Sequence, residues 1–204
     1  MPRSIHCLLA AVMALGAQAA TGQSLSHQGL LDADDPNAVA LIEFETSASA
    51  NLLIQTWSFG GGVNAEGATI AAGGFDTYAS LFAGWGATAS FVASNDDGLC
   101  PPGKAAPVCA DSTLALVALP AGRYTLAIGL PGNFSFAENL GSGNLGDGFI
   151  GLAASWSDGA CPATCTSRYA VDIGSAALVP EPSAAGLLVL GLLGLAWLRR
   201  TRPV

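Results

Sequence analysis

The chain has 204 residues, 51% of them hydrophobic and only 11% charged, with 15 acids against 7 bases for a formal net charge of −8. Nucleic acid is thereby excluded as a partner, because a phosphate backbone is held by clustered Lys and Arg. The imbalance is concentrated in the middle of the chain: residues 20–181 carry Lys104, Arg123 and Arg168 against all fifteen acids, a formal charge of −12.

At the N-terminus, Arg3, an apolar run from Leu8 to Leu15 and the small-residue triplet Ala17-Gln18-Ala19 read as a signal peptide, residues 1–19, cut by signal peptidase after Ala19. The run is too short to span a bilayer stably. A buried helix of a cytosolic protein is the competing reading, and it leaves the ordered basic, apolar and small-residue parts unexplained. An exported ectodomain over residues 20–178 follows, the size of one domain with a substantial core.

Hydrophobic periodicity in this ectodomain is two rather than 3.6. After an acidic stretch at Asp32, Asp34 and Asp35, Ala40, Ile42 and Phe44 alternate with Glu43 and Glu45 as a half-buried strand. Further strands are predicted at 52–58, 78–83, 89–94 and 113–119. The next, Gly122 to Leu130, alternates Tyr124, Leu126, Ile128 and Leu130 with Arg123, Thr125, Ala127 and Gly129, and two more are predicted at 149–156 and 169–173. Turn signals such as Gly60-Gly61-Gly62, Asn95-Asp96-Asp97-Gly98 and Pro131-Gly132-Asn133 separate them at spacings too short for crossover helices. The expected fold is therefore all-β, a sandwich of jelly-roll or Greek-key kind. No internal repeat points to a propeller or solenoid.

Cys7 leaves with the signal peptide, so Cys100, Cys109, Cys161 and Cys165 remain, an even number in an oxidising compartment. Three pairings are open. Local bridges Cys100–Cys109 and Cys161–Cys165, each within loop sequence, are favoured over zinc binding, for which no His lies near either pair.

The chain ends in Val179-Pro180-Glu181-Pro182, an uncharged run of 15 residues from Ala184 to Leu198, and Arg199, Arg200 and Arg202. The two prolines force extended, protease-accessible backbone. As a helix the run covers roughly 22 Å, short of a hydrocarbon core of roughly 30 Å, so a membrane helix over about 183–198 would span only with help from its flanks. The basic stop at 199–202 places that end in the cytoplasm and the ectodomain across the inner membrane. The ordered set over residues 179–204 resembles the sorting tail of PEP-CTERM proteins. That resemblance implies a Gram-negative host, an exosortase as partner acting at or near Pro180-Glu181-Pro182, and a cell-surface or extracellular destination associated with exopolysaccharide. A plain, uncut anchor is the alternative.

A second resemblance spans roughly residues 30–155. The stretches Leu119-Pro120-Ala121-Gly122-Arg123-Tyr124-Thr125-Leu126 and Asn95-Asp96-Asp97-Gly98, with Gly74-Phe75-Asp76 and Asn144 to Phe149, are similar to bacterial pre-peptidase C-terminal domains. That implies a non-catalytic accessory β-sandwich, some relatives of which bind calcium or matrix polymers. No protease is attached here, and Cys100 to Cys109 has no counterpart in the pattern.

For acyl transfer the mature chain offers only His27, close to the new N-terminus where chains fray, and no Gly-x-Ser-x-Gly, His-Glu-x-x-His or phosphate loop occurs. No catalytic residue is therefore assigned. A carboxylate pair for polysaccharide hydrolysis is the alternative function, although most acids sit in turns beside Gly. Calcium is the candidate cofactor, with ligands from Asp32, Asp34, Asp35 and from Asn95, Asp96, Asp97, Asp111. Neither set has EF-hand spacing, and ordinary Asx turns capping strands are the favoured account of both. Among Trp57, Trp85 and Trp156, Trp85 between two glycines is the candidate for stacking on sugar, against the common use of strand aromatics in a core.

Overall fold

A computed structural model describes residues 24–98, 110–153 and 166–175; the expected signal peptide, all the cysteines with their expected bridges, Trp156 and the expected sorting tail lie outside them. Among the described residues ten strands form in chain order: β1 (Ser24–Leu30), β2 (Ala40–Thr46), β3 (Ala50–Thr56), β4 (Gly62–Val63), β5 (Thr69–Ile70), β6 (Tyr78–Ala83), β7 (Ser90–Asn95), β8 (Thr113–Leu119), β9 (Gly122–Gly129) and β10 (Arg168–Ser175). Eight of them make two four-stranded antiparallel sheets, β1-β10-β3-β8 and β2-β9-β6-β7, while β4 and β5 pair only with each other. The all-β expectation holds.

One apolar core lies between the two sheets. Ile42 and Phe44 of β2, Leu81 of β6 and Leu126 and Ile128 of β9 meet Leu52 and Ile54 of β3, Leu114 of β8 and Val171 and Ile173 of β10. Period-two alternation is what sends these side chains to one face. In β2 the outer residues Leu41, Glu43 and Glu45 are exposed, as a half-buried strand requires.

β9 departs from its expected half-buried pattern, since from Tyr124 to Gly129 both faces are buried. The outer face is covered by residues 131–149, which include a short helix α1 (Phe136–Leu140) and a 3-10 turn (Leu145–Asp147). Ala137, Leu145 and Phe149 from this flap pack on Phe82 and Ala127. Tyr78 anchors it from below: its hydroxyl donates to Glu138 Oε2 at 2.5 Å and accepts from Ser135 N at 3.1 Å. The strand expected at 149–156 is absent through Ala153. Gly148 and Gly151 take φ values of 84° and 73° there, and the segment folds back on the flap through Ile150 N to Phe134 O and Gly151 N to Asn133 Oδ1.

β1 was not foreseen as a strand. It is a sheet edge, exposed along most of its length, so no alternation marks it. Its register with β10 pairs Ser24 with Gly174, which brings the first and last described residues together. The β2–β3 turn, the β6–β7 loop and the β8–β9 turn lie at this same end, because Thr46 faces Gly122, Ala50 faces Leu119 and Ala83 faces both Tyr124 and Ser90. At the opposite end lie the β1–β2 loop, the start of β6, the end of β7 and the start of β8.

Replacing Leu126, fully buried on β9, by Ala is expected to cost about 3 kcal/mol of unfolding free energy, whereas Leu41→Ala on the exposed face of β2 costs far less. Urea denaturation of the two variants measures the difference.

Candidate functional site

The end opposite the chain termini gathers most of the acids. In the β1–β2 loop, Asp34 N donates to Asp32 Oδ1 at 3.0 Å and Asn37 N to Asp35 Oδ1 at 2.9 Å. These are two successive Asx turns, the alternative to cation binding that the sequence left open. At the end of β7, the Asn95 side-chain amide donates to Asp97 O and to Thr113 O (2.8 Å), and its Oδ1 accepts from Asp96 N at 3.1 Å.

Asp111, at the start of β8, is almost fully buried. Its carboxylate accepts from Gly60 N at 2.7 Å, Phe59 N at 3.1 Å and Thr56 Oγ1 at 3.2 Å. Burial pushes its carboxyl above the ordinary range, and the amides of Gly60, Phe59 and Ser58 with the Thr56 hydroxyl pull it back. Thr56 also meets Thr77 Oγ1 at 2.7 Å, and Thr77 in turn accepts from Ser112 N at 3.0 Å. The result is a buried polar knot that ties β3 and β8 of one sheet to the head of β6 in the other.

Asp76 stands beside this knot and differs from it. Its Oδ1 is buried without a hydrogen-bond partner. Its carboxyl is raised to about 7, by burial first and then by the negative charges of Asp97, Asp96 and Asp111. The sequence presented Asp76 within Gly74-Phe75-Asp76 but gave no reason to single it out, since its proximity to the Asp96-Asp97 turn comes only from the pairing of β6 with β7. A carboxyl raised by burial and by neighbouring acids is a property that functional sites share with structural acid clusters. Among the described residues no group of three or more His, Cys, Asp and Glu is arranged to hold a metal ion.

The remaining candidates are dispersed. Trp85 lies at the other end of the sandwich, in the β6–β7 loop, with the Arg123 guanidinium 4.2 Å over its ring. One face of the indole is thus already occupied. A cleft of about 410 Å³ opens between the edge strands β1 and β2, lined by Leu25, Phe44, Leu52 and Ile173 with Glu43 and Glu45 at its rim. His27 is not frayed: it pairs with Val171 within β1 and stacks on Tyr169 at 6.0 Å. A second buried carboxylate, Asp172 on β10, is saturated by Trp57 Nε1 (2.7 Å), Ala65 N (2.7 Å) and Ser26 Oγ (2.5 Å), and has a structural role.

Compared with models of known protein families and with curated proteins, the chain matches none.

Asp76 and Asp111 separate in their expected behaviour when measured in chelator. Asp111→Ala orphans two main-chain donors and should lower stability by about 3 kcal/mol. Asp76 has a folded value near 7 against 3.8 in the unfolded chain, so its stability contribution is full below about pH 4 and lost as pH rises through 7. Asp76→Asn removes that loss. It should therefore leave stability at pH 4 unchanged and raise it at pH 8 by about 1 kcal/mol, discounted for the partial solvent access of the site.

Proposed function

We propose that this chain is an exported, non-catalytic β-sandwich of jelly-roll strand order, sorted by an exosortase through its C-terminal tail and displayed at the cell surface or in the extracellular matrix. The observation that carries this reading is polarity of the fold. Both chain ends leave one end of the sandwich, where Ser24 pairs with Gly174, and the acidic loops occupy the other. A domain tethered at residue 175 to a membrane-directed tail presents Asp32, Asp34, Asp35, Asp96 and Asp97 outward, with Asp76 half-buried beside the Asp96-Asp97 turn. The strand order β1-β10-β3-β8 over β2-β9-β6-β7 supports the jelly roll, because first and last strands are neighbours in it.

Outward-facing carboxylates suit exopolysaccharide hydroxyls, or polymer cross-linked by calcium. Calcium is the cofactor we propose for this end. It would have to draw Asp76, Asp96 and Asp97 together, and its charge would offset the burial, and then the repulsion from Asp97 and Asp96, that raise the Asp76 carboxyl. Binding of calcium to the folded chain alone should raise its thermal midpoint, and Asp76→Asn should abolish most of that rise.

One observation favours the second reading, a secreted enzyme acting on polysaccharide. Asp76 is a carboxyl raised to about 7 beside ionised partners, the division of labour a glycoside hydrolase needs. A glycan array with and without EDTA, set beside an assay for reducing-sugar release, separates the two. Retention on polymer without turnover is expected; turnover lost in Asp76→Asn would overturn the non-catalytic reading. For sorting, replacing Pro180, Glu181 and Pro182 together by Ala in an exosortase-bearing host should keep the chain at precursor mass in the membrane fraction, and unchanged mass and location would sink that part.

A further inference from the structure

We infer that the end of the sandwich from which both termini leave is a membrane-interface surface, seated on the lipid headgroups of the bilayer that the C-terminal apolar run enters. This rests on the tail reading above.

Three exposed apolar side chains lie towards this end: Leu25 (43% exposed) on β1, at the cleft between β1 and β2, Val117 (84%) on β8 at the opposite edge of the sheet, and Trp85 (39%) in the β6–β7 loop. Val117 is pushed outward by a bulge. Between Ala50–Leu119 and Leu52–Leu116 the two strands lose register, Ala118 takes a φ of 52°, and its N–H is held by Asn51 Oδ1 at 2.9 Å. A non-glycine residue in left-handed conformation is unfavourable, so the backbone is held there against its preference and the result is a bare valine.

The loop carrying Trp85 is rigidly held: Gly84 N donates to Arg123 O at 2.7 Å and Thr125 Oγ1 to Gly84 O at 2.8 Å. Indole with a guanidinium over it is suited to headgroup depth, where the ring takes the apolar side and the cation meets phosphate. Arg123 is only loosely tied elsewhere, to Glu45 at 3.9 Å. The other acids towards this end are Glu43 on the exposed face of β2, Asp172 on β10, whose carboxylate is taken up by Ser26, Trp57 and Ala65, and Asp147, whose carboxylate accepts from Asn144 N at 2.7 Å.

Chain length argues for lipid as the occupant. Eight residues, 176–183, separate the last residue of β10 from Ala184. Fully extended they reach at most about 28 Å, and the two prolines among them limit folding back. So short a tether supplies a local concentration in the millimolar range, enough for a modest apolar surface to be occupied. The acidic end, a strand length of about 23 Å further out, lies beyond two Debye lengths of about 10 Å from anionic headgroups.

The test uses the full chain reconstituted into vesicles of phosphatidylethanolamine with a minority of phosphatidylglycerol, carrying nitroxide-labelled lipid at headgroup depth. The Trp85 emission is taken as the difference between the native chain and Trp85→Phe, and the Trp197 emission likewise with Trp197→Phe. Trp85 is expected to be quenched at least twofold, with Val117→Asp reducing that quenching while leaving Trp197 quenched. Trp197 quenched with Trp85 unquenched would overturn the inference and leave the tail reading intact. Neither quenched means that the tail does not insert, and both fail. Protection of Trp85 that follows protein density instead of lipid quencher would assign the surface to a second copy and overturn the lipid assignment.

Discussion

The buried carboxylate of Asp111 is the constraint on which the acidic half of the sandwich depends. Apolar burial between two sheets is strong but non-directional, and it leaves their relative placement loosely specified. Asp111 supplies direction. Through Thr56 it reaches Thr77 and Ser112, and through Phe59 N and Gly60 N it fixes the chain that leaves β3. A carboxyl this deep is tolerated because the Gly60 and Phe59 amides and the Thr56 hydroxyl all donate to it. The loops at that end are therefore built on a base that cannot shift by small amounts without orphaning a charge.

Set against that saturated carboxylate, Asp76 is the exception that gives the end its chemistry. Both acids are desolvated, but Asp111 is compensated by amides and hydroxyls while Asp76 is surrounded by negative charge and retains an unpartnered oxygen. The first arrangement spends carboxylate chemistry on architecture. The second leaves a carboxyl raised to about 7, with one buried oxygen unpartnered. Asp172 repeats the architectural solution further along the same sheet, where it clamps Trp57 and the β4–β5 arm against β10.

Much of this was legible in the chain. Ala40 to Glu45 and Gly122 to Leu130 announce strands by alternation, and both form with the predicted residues inward. β1 was illegible because an edge strand exposed on both faces has no period to read. The flap was missed for a related reason: Phe136 to Leu140 is too short to show a helical stripe, and Phe149 reads as the start of a strand although Gly148 and Gly151 divert the backbone. At the acidic end, Asn95 to Asp97 and Asp111 were visible as clusters, but whether each acid was satisfied or starved depended on main-chain donors from residues 58–60. No sequence spacing encodes that. Asp76 was unremarked for the same reason.

The adjacency of the first and last strands has a consequence for how such a chain is assembled over evolutionary time. Because Ser24 and Gly174 are partners in one ladder, the folded body is a closed loop of chain whose two loose ends meet at a single point. A body of that kind is a cassette. It can be placed between any export leader and any retention signal, or inserted into the surface loop of another protein, without its core being opened. The same geometry makes it permutable: a short linker from residue 175 to residue 24 would let new ends be cut in an exposed turn while the acidic face stayed unchanged.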